Sequence, residues 1–431
     1  MEIIPTDSSF RQYLTFWGGQ IISLLGSMVV QFVLTWYLTV LTENPLVLSI
    51  ASFVYYLPMI FAMPIAGVFS DRWDRKKLIV IVDSSQAFVT FILIMLLAMG
   101  VADLWIIFSF MALRSIFQAF HSPAVNAIVP TMVPKEKLSR INGVNFLASG
   151  VVQLIGPILA ALLLLFMTPF QALWIDIITF FIALIPLIFI KIPKVRTEAE
   201  KKEKESFSTE FKEGFKTLRI IPGMIVLLIM SMLLNFLIQP LSTLISYFAY
   251  VNHSATALEY AIMSTGFQGG IIFGALLTAI KKEWKHKVKV TFIVLAIFMV
   301  GYAMLAYSPY RAFLLMIILA FVMGFMLPIV NTIFQTIMQT AIPHDKLGRV
   351  SSIDSTLSML ITPFGALIVG PLALILGVPN LFFFSALLGM VTIACLYIFT
   401  GIRHVNYDEM AETMKNKLEE MKGVQEIIEK N

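Results

Sequence analysis

Three acidic residues interrupt long apolar stretches of the sequence. Asp83 lies in LIVIVDSSQAF, Asp176 in LWIDIITFF, and Asp354 in RVSSIDSTLSML. A carboxylate that is partly removed from water can load and release a proton near neutral pH, which coupling to a proton gradient requires. Asp176 has the most apolar neighbours and ranks first as a proton carrier. Asp83 is a second candidate, although it fits a cytoplasmic latch better.

Arg114 is a basic residue in a similarly apolar setting. It falls about 11 residues into its stretch, or about 16 Å deep at the rise of a helix. Gln118 and His121 follow at i+4 and i+7, so the three side chains share one helix face. Arg114 is a third candidate for proton coupling. It could equally form an ion pair with Asp176 that only holds two helices together, and the sequence favours neither reading.

Two further apolar stretches carry polar side chains at helical spacing. Gln20, Ser27 and Gln31 share one face of the first, and Asn235, Gln239, Ser242 and Ser246 share one face of the seventh. Any single Gln or Ser could simply hydrogen-bond a neighbouring helix. Three parallel stripes and an arginine instead predict a wet substrate cavity. Its predicted lining is Gln20, Gln31, Arg114, Gln118, His121, Asn235, Gln239 and Ser242.

The elements that must position these residues are membrane-spanning helices. Hydrophobic residues make up 58% of the 431 and charged residues only 13%, about half the charged share of a soluble domain. Apolar runs long enough to cross about 30 Å of hydrocarbon recur along the chain. The first is too long for a cleavable signal. The twelve predicted helices are 12–40, 46–70, 78–99, 103–130, 141–166, 170–191, 222–250, 257–280, 288–307, 310–340, 350–376 and 380–401.

The basic residues predict the orientation in the membrane. With both termini in the cytoplasm, all of the 31 Lys and Arg residues except Arg114 and Arg311 fall on the cytoplasmic side, as the positive-inside rule requires. We therefore expect a multi-pass protein of the cytoplasmic membrane. The net charge of +5 needs no nucleic-acid partner, and the single cysteine, Cys395, excludes an internal disulfide.

Two charged segments divide the chain. Residues 194–221 separate an N-terminal six-helix bundle, 1–193, from a C-terminal one, 222–402. Within this linker, Phe207, Phe211, Phe215 and Leu218 have helical spacing, which fits either a surface-lying amphipathic helix or a solvated linker. The tail, 403–431, repeats the pattern and is predicted to be a cytoplasmic amphipathic helix.

The two bundles repeat one another. PKEKLSR at 134–140 matches PHDKLGR at 343–349, and each follows a stretch with a proline and an asparagine at the same spacing. Those pairs are Pro123 with Asn126, and Pro328 with Asn331. Duplicated halves joined by a long loop predict an all-α membrane protein of twelve helices in two pseudo-symmetric bundles.

The link GVFSDRWDRKK, 67–77, resembles the signature Gly-x-x-x-Asp-Arg-x-x-Arg-Lys of major facilitator transporters. Every position is filled, by Gly67, Asp71, Arg72, Arg75 and Lys76. The resemblance implies a cytoplasmic latch in which Asp71 faces the start of helix eleven. Arg72 or Arg75 could also reach Asp354 there, and Gly67 would let a helix approach closely. A plain topology anchor is the alternative, although an anchor needs no fixed Gly and Asp.

Helix five contains VQLIGPILAA, which resembles the exporter motif Gly-x-x-x-Gly-Pro-x-x-Gly-Gly of the same superfamily. Gly156 and Pro157 match its centre, whereas Val152, Ala160 and Ala161 depart from it. The stretches FWGGQIISLLGS, LRSIFQAFHSPAVNAIVP and HDKLGRVSS are similar to the macrolide-efflux branch of the drug:proton antiporters. This resemblance covers most of residues 10–402.

The resemblance implies a monomeric secondary transporter, not an enzyme, that exports a small amphipathic compound across the lipid bilayer in exchange for protons. There is no Gly-x-x-x-x-Gly-Lys-Ser/Thr loop for ATP. No cofactor and no metal site are predicted. A siderophore or lysolipid could be the cargo of the same machine. A non-transporting receptor on the same fold remains a further alternative.

Overall fold

The chain forms twelve long helices. The computed structural model describes residues 5–101, 103–190, 192–193, 215, 218–281, 283–342, 344–407 and 409, without the side chains at 68, 71, 72, 344 and 345. Twelve helices within these ranges are long and apolar enough to cross a membrane. They are α1 (Asp7–Thr42), α2 (Pro45–Arg72), α3 (Arg75–Ala98), α4 (Leu104–Met132), α5 (Lys135–Phe166), α6 (Trp174–Phe189), α7 (Met224–Tyr247), α8 (Ala257–Ile280), α9 (Lys287–Ala306), α10 (Phe313–Ala341), α11 (His344–Leu376) and α12 (Val378–Phe399).

The predicted fold class is confirmed, and the helix starts differ most at α5 and α11. Both begin six residues earlier than predicted, because the repeated polar segments are the first turns of these helices. A helix satisfies its own backbone hydrogen bonds, so it can continue past the apolar core into the headgroup region. Glu136 in the first turn of α5 also interacts favourably with the helix dipole.

The helices pack as two groups of six. In the first group, α1 packs on α5 and α6, α2 on α4, and α3 on α4 and α6. In the second, α8 packs on α10, α9 on α10 and α12, and α7 on α11 and α12. The groups meet where α2 crosses α11 and α5 crosses α8. Phe61, Phe166, Phe189 and Phe399 are 67–86% exposed, as expected for side chains that face lipid.

The bundle has two different ends. We call the end that bears residues 73–74, 133–134, 281 and 283–286 the basic face, and the other end the opposite face. The two groups of helices are joined near the opposite face. Thr39 of α1 donates to Ser246 of α7 at 3.0 Å, and Ser49 of α2 accepts from the Gly370 N–H of α11 at 2.9 Å. The Trp36 ring also stacks on Tyr260 at 5.5 Å.

Glycines set the closest helix crossing, between α8 and α10. A Cβ at Gly270 would lie 2.1 Å from the Phe321 carbonyl oxygen, whereas one at the adjacent Gly269 would meet nothing nearer than 3.9 Å. We expect Gly270→Ala to lower the free energy of unfolding by about 1–3 kcal/mol through overpacking. Gly269→Ala should change it by about 0.5 kcal/mol or less.

Unfolding of the purified protein in mixed detergent and SDS measures both variants. Each adds one methyl group to the same turn of α8, so the neighbouring position is the control. Equal stability of the two variants would contradict the close crossing.

Most of the two predicted surface helices lies outside the described residues, including Phe207, Phe211 and the tail beyond residue 409. Of the linker pattern, Leu218 is buried and Phe215 is 37% exposed. The described start of the tail contacts the segment just before α7, since the Tyr407 hydroxyl donates to the Pro222 carbonyl at 2.9 Å.

Candidate functional site

A buried ion pair lies inside the first group of helices. The Arg114 Nη1 of α4 is 2.6 Å from the Asp176 Oδ2 of α6. Thr90 of α3 donates to the same carboxylate oxygen at 2.8 Å and also accepts from Arg114. Arg114 and Asp176 are only 8% and 6% exposed. The pair that the sequence offered as one of two alternatives is therefore formed, and three helices contribute to it.

Two features of the sequence bring Asp176 to this position. A one-turn helix at Pro169–Ala172 precedes α6, so Asp176 falls in the first turn of α6, where the helix dipole favours a carboxylate. On α1, a Cβ at Gly26 would lie 3.2 Å from the Asp176 Cα and still closer to Thr179. Gly26 thus lets α6 approach α1 closely enough to place the carboxylate among the helices.

A second cluster lies nearer the basic face. The Asp83 Oδ1 of α3 is 3.3 Å from the His121 Nε2 of α4. Gln20 of α1 donates to Asp83 Oδ2 at 3.5 Å, and its Oε1 is 2.9 Å from His121 Nε2. The sequence also suggested Asp83 as part of the cytoplasmic latch. Its contacts are instead with Gln20 and His121, inside the first group of helices.

A small chamber joins the two clusters. It has a volume of about 30 Å³, and Asp83, His121, Gln118 and Asp176 are among the residues that line it. A polar cavity needs about 10–15 Å³ of such volume to hold one water molecule. The chamber is therefore large enough for one or two water molecules between the two acids.

A larger cavity adjoins the chamber, between α1, α2, α4 and α7. Its volume is about 200 Å³. Four of the eight predicted lining residues line it, namely Gln31, Arg114, Gln118 and Ser242. Ser27, Gln86 and Gln118 line both the cavity and the chamber. The Asp176 cluster therefore reaches the cavity wall through Arg114, and the chamber shares lining residues with the cavity.

The other predicted lining residues lie elsewhere. Gln20 and His121 belong to the Asp83 cluster. Gln239 is buried, and its side chain packs 3.1 Å from the Cβ position of Gly365 on α11. Asn235 lines a separate cavity with Asp354. A helix face is wider than one cavity, so residues at i and i+4 on α7 reach different neighbours.

The sequence did not predict that residues of α2 line the cavity. Tyr55 and Tyr56 line the cavity, with their rings 5.4 Å apart at near right angles, and Ser52 lies beside them. Two adjacent tyrosines about ten residues into a span were the available signal, because each hydroxyl needs a polar partner or water. On α3, Thr90 was also missed, since a lone threonine in a span most often bonds its own helix.

The described latch residues contact their own half of the protein. Arg75 donates to the Ala127 carbonyl of α4 at 2.6 Å, and Lys76 donates to the Ile188 and Ile190 carbonyls at 2.7 Å. Lysine there satisfies carbonyls at the end of α6. The side chains of Asp71 and Arg72 lie outside the description.

Gly67 has a different setting from the one expected. No described atom lies within 4 Å of a Cβ built at Gly67, so close helix approach is not what this position provides in the present arrangement. The tight contacts of α2 with α11 that the structure describes are near the opposite face.

The exporter-motif glycine lies at a close helix crossing. A Cβ at Gly156 on α5 would be 2.7 Å from the Met28 Cβ on α1. Pro157 lies within α5, and Ala160 and Ala161 are fully buried. Alanine is therefore small enough at two of the three positions where the sequence departs from glycine.

Comparison with known proteins places this architecture in a family. The Major Facilitator Superfamily profile matches residues 16–366, and the chain belongs to that superfamily. It is a multi-pass membrane transporter. Macrolide efflux protein A of Streptococcus pyogenes is 28% identical to it over 379 residues, which cover 88% of this chain and 93% of that protein. The predicted resemblance to macrolide efflux proteins is therefore confirmed.

Two other proteins bear on cargo and fold. The staphyloferrin A transporter of Staphylococcus aureus is 28% identical over 192 residues, covering 43% of this chain and 48% of that protein. The crystal structure of the nucleoside transporter NupG has a TM-score of 0.69 at 14% identity, and the match covers 89% of this chain and 98% of that one. The latter similarity concerns the fold alone.

Proposed function

We propose that this protein exports a hydrophobic or amphipathic, macrolide-like compound in exchange for protons, by alternating access. One observation carries the proposal: Gln118 and Gln86 line both the cavity and the chamber that Asp83 and Asp176 line. Cargo in the cavity and a proton on an acid would then lie within one side chain of each other. Ionisable groups in a membrane are costly to keep and mark such pathways.

Asp83 is the better proton carrier on its contacts. Asp176 already has a positive partner in Arg114 at 2.6 Å and a second donor in Thr90. Asp83 contacts a neutral amide, Gln20, and the imidazole of His121, a side chain that commonly passes protons on. We propose that Asp83 and His121 exchange the proton and that the Arg114–Asp176 pair positions the chamber.

Helix α1 would transmit the change of protonation. It carries Gln20 against Asp83 and, about five turns away, Thr39 and Trp36 against the other half. A helix moves as a rigid body over such a length. Loss or gain of the hydrogen bond at Gln20 would therefore bias the contacts that keep the two halves together at the opposite face.

The cavity wall suits a large apolar cargo with few polar groups. Leu24, Met28 and Leu34 supply apolar surface, and Tyr55 and Tyr56 supply aromatic surface with a polar tip. Drug-sized ligands occupy about 300–1,000 Å³. The cavity must therefore widen to admit one, which the rocking of the two bundles provides.

The distribution of basic residues supports an orientation of the protein in the membrane. We propose that the basic face is cytoplasmic, that both termini lie there, and that the protein acts as a monomer in the cytoplasmic membrane. The distribution of Lys and Arg supports this orientation. The cytoplasmic latch at 67–77 remains part of the proposal, with Asp71 and Arg72 as its acting residues.

A siderophore is the second candidate cargo. The similarity to a staphyloferrin A transporter favours it, although that match covers less than half of either chain. The cavity offers Arg114 as its cationic wall residue, and Asp176 already neutralises it. This balance makes an apolar cargo the better fit.

Proton movement in everted membrane vesicles tests the proposal. A pH-sensitive dye reports the gradient while a macrolide, a lipophilic dye, a siderophore and a lysolipid are added in turn. We expect the macrolide to dissipate the gradient only in vesicles that contain the protein. Dissipation by the siderophore alone would select the second candidate. No dissipation by any cargo, with folded protein in the vesicles, would reject proton-coupled export of these compounds.

A further inference from the structure

A second cavity lies between α7, α10 and α11, nearer the basic face. Its volume is about 400 Å³, twice that of the cavity between the halves. Most of its described lining is polar. Side-chain amides and hydroxyls reach it from all three helices, among them Asn235, Asn331, Gln335 and Ser358. Neither the proton site nor the cavity of the proposed export function uses these residues.

Asp354 of α11 is the one acid in this cavity and, among the described residues that line it, the one charged group. Its Oδ1 is buried and has no hydrogen-bond partner. A buried carboxylate oxygen without a partner is costly. Of the two arginines that the sequence considered as partners, Arg75 donates to the Ala127 carbonyl, and the side chain of Arg72 lies outside the description. Among the described residues that line the cavity, Asp354 is therefore surrounded by neutral polar groups.

The chemistry of the lining specifies the missing partner. One carboxylate balances one positive charge, and amide and hydroxyl oxygens can turn their partial negative charge toward a cation. A bare alkali ion would fill little of about 400 Å³. Phe334, Met338 and Leu347 add an apolar wall, and an aromatic face attracts an organic cation within about 6 Å.

We propose that this second cavity binds an organic ammonium group, with Asp354 as its counter-ion and Phe334 beside the alkyl body. The proposal rests on the export function above, since it assigns a site to the cationic group of an amphipathic cargo. In this proposal, Asp83 in the first half carries the proton, and Asp354 in the second half binds a cationic cargo.

Binding of tritiated benzyltriethylammonium to the purified full-length protein tests this proposal without any transport step. The probe keeps its charge at every pH. We expect Asp354→Asn to weaken its affinity by about 10-fold or more, because the counter-ion is removed and the shape is retained. Phe334→Leu, a second variant that keeps the carboxylate, should weaken it by about threefold.

Two control variants separate this site from the rest of the molecule. Asp103→Asn removes an acid at the opposite face while asparagine keeps the N-cap of α4, so its affinity should be unchanged. Asp83→Asn should bind the probe like the wild type even if vesicle assays show no proton exchange. Failure of the export function and failure of the ammonium site are therefore distinguishable.

Three results would overturn the proposal. One is the absence of probe binding to the wild type at millimolar concentration. Another is equal affinity of the wild type and Asp354→Asn, which would leave Asp354 to the latch. The third is displacement of the probe by low millimolar sodium, which would identify an inorganic ion site instead.

Discussion

Asp176→Asn is expected to lower the free energy of unfolding by about 3–5 kcal/mol, because it leaves the Arg114 guanidinium buried without its counter-ion. Arg114→Gln should cost a similar amount for the reciprocal reason. The two groups are 2.6 Å apart and nearly inaccessible to solvent. The double variant, which removes both charges, should recover most of the loss.

A double-mutant cycle measures this coupling, with unfolding followed in mixed detergent and SDS. Asp103→Asn is the matched control, since it makes the same chemical change at an exposed cap and should leave stability within about 0.5 kcal/mol. If the two single losses simply add in the double variant, the pair does not act as a unit and the assignment is wrong.

Asp83→Asn is expected to reduce cargo-driven proton movement to the level of vesicles without the protein. Asparagine has the shape of aspartate and can still bond Gln20, which is 3.5 Å from the carboxylate, but it cannot take up a proton. Exchange of labelled for unlabelled cargo, in the absence of a gradient, should continue, because that step needs no net change of protonation.

The two assays on the same vesicles make the result specific. Loss of both proton movement and exchange would indicate a folding or binding defect. Continued proton movement by Asp83→Asn would exclude Asp83 as an essential carrier and return Asp176 to first place. Asp103→Asn again serves as the control and should retain both activities.

The sequence predicted the helices well because a segment that crosses the bilayer must be a long and mainly apolar helix. Every span was found, and α8 has the predicted bounds, 257–280. The predictions failed where polar segments continue a helix beyond the membrane, as at Lys135 and His344. Hydropathy detects the apolar part of a helix, whereas its ends depend on capping and on local backbone hydrogen bonds.

Only part of the cavity lining could be predicted from the sequence. The stripe on α4 led to Arg114 and Gln118, which line the cavity, but the stripe on α7 mixed Ser242 with Asn235, which lines a different one. Helical spacing tells which residues share a face. It does not tell which neighbouring helix that face meets at each depth.

By itself, the sequence determined that this protein lies in a lipid bilayer, how many helices span it, that the two halves repeat each other, and to which family the protein belongs. These properties are local, since they depend on runs, spacing and motifs along the chain. Only the tertiary structure decided that Arg114 pairs with Asp176, that Asp83 joins Gln20 and His121, and that Asp354 lies in a cavity of its own. Partners far apart in the sequence are chosen by helix packing, which glycines such as Gly26 permit through close approach.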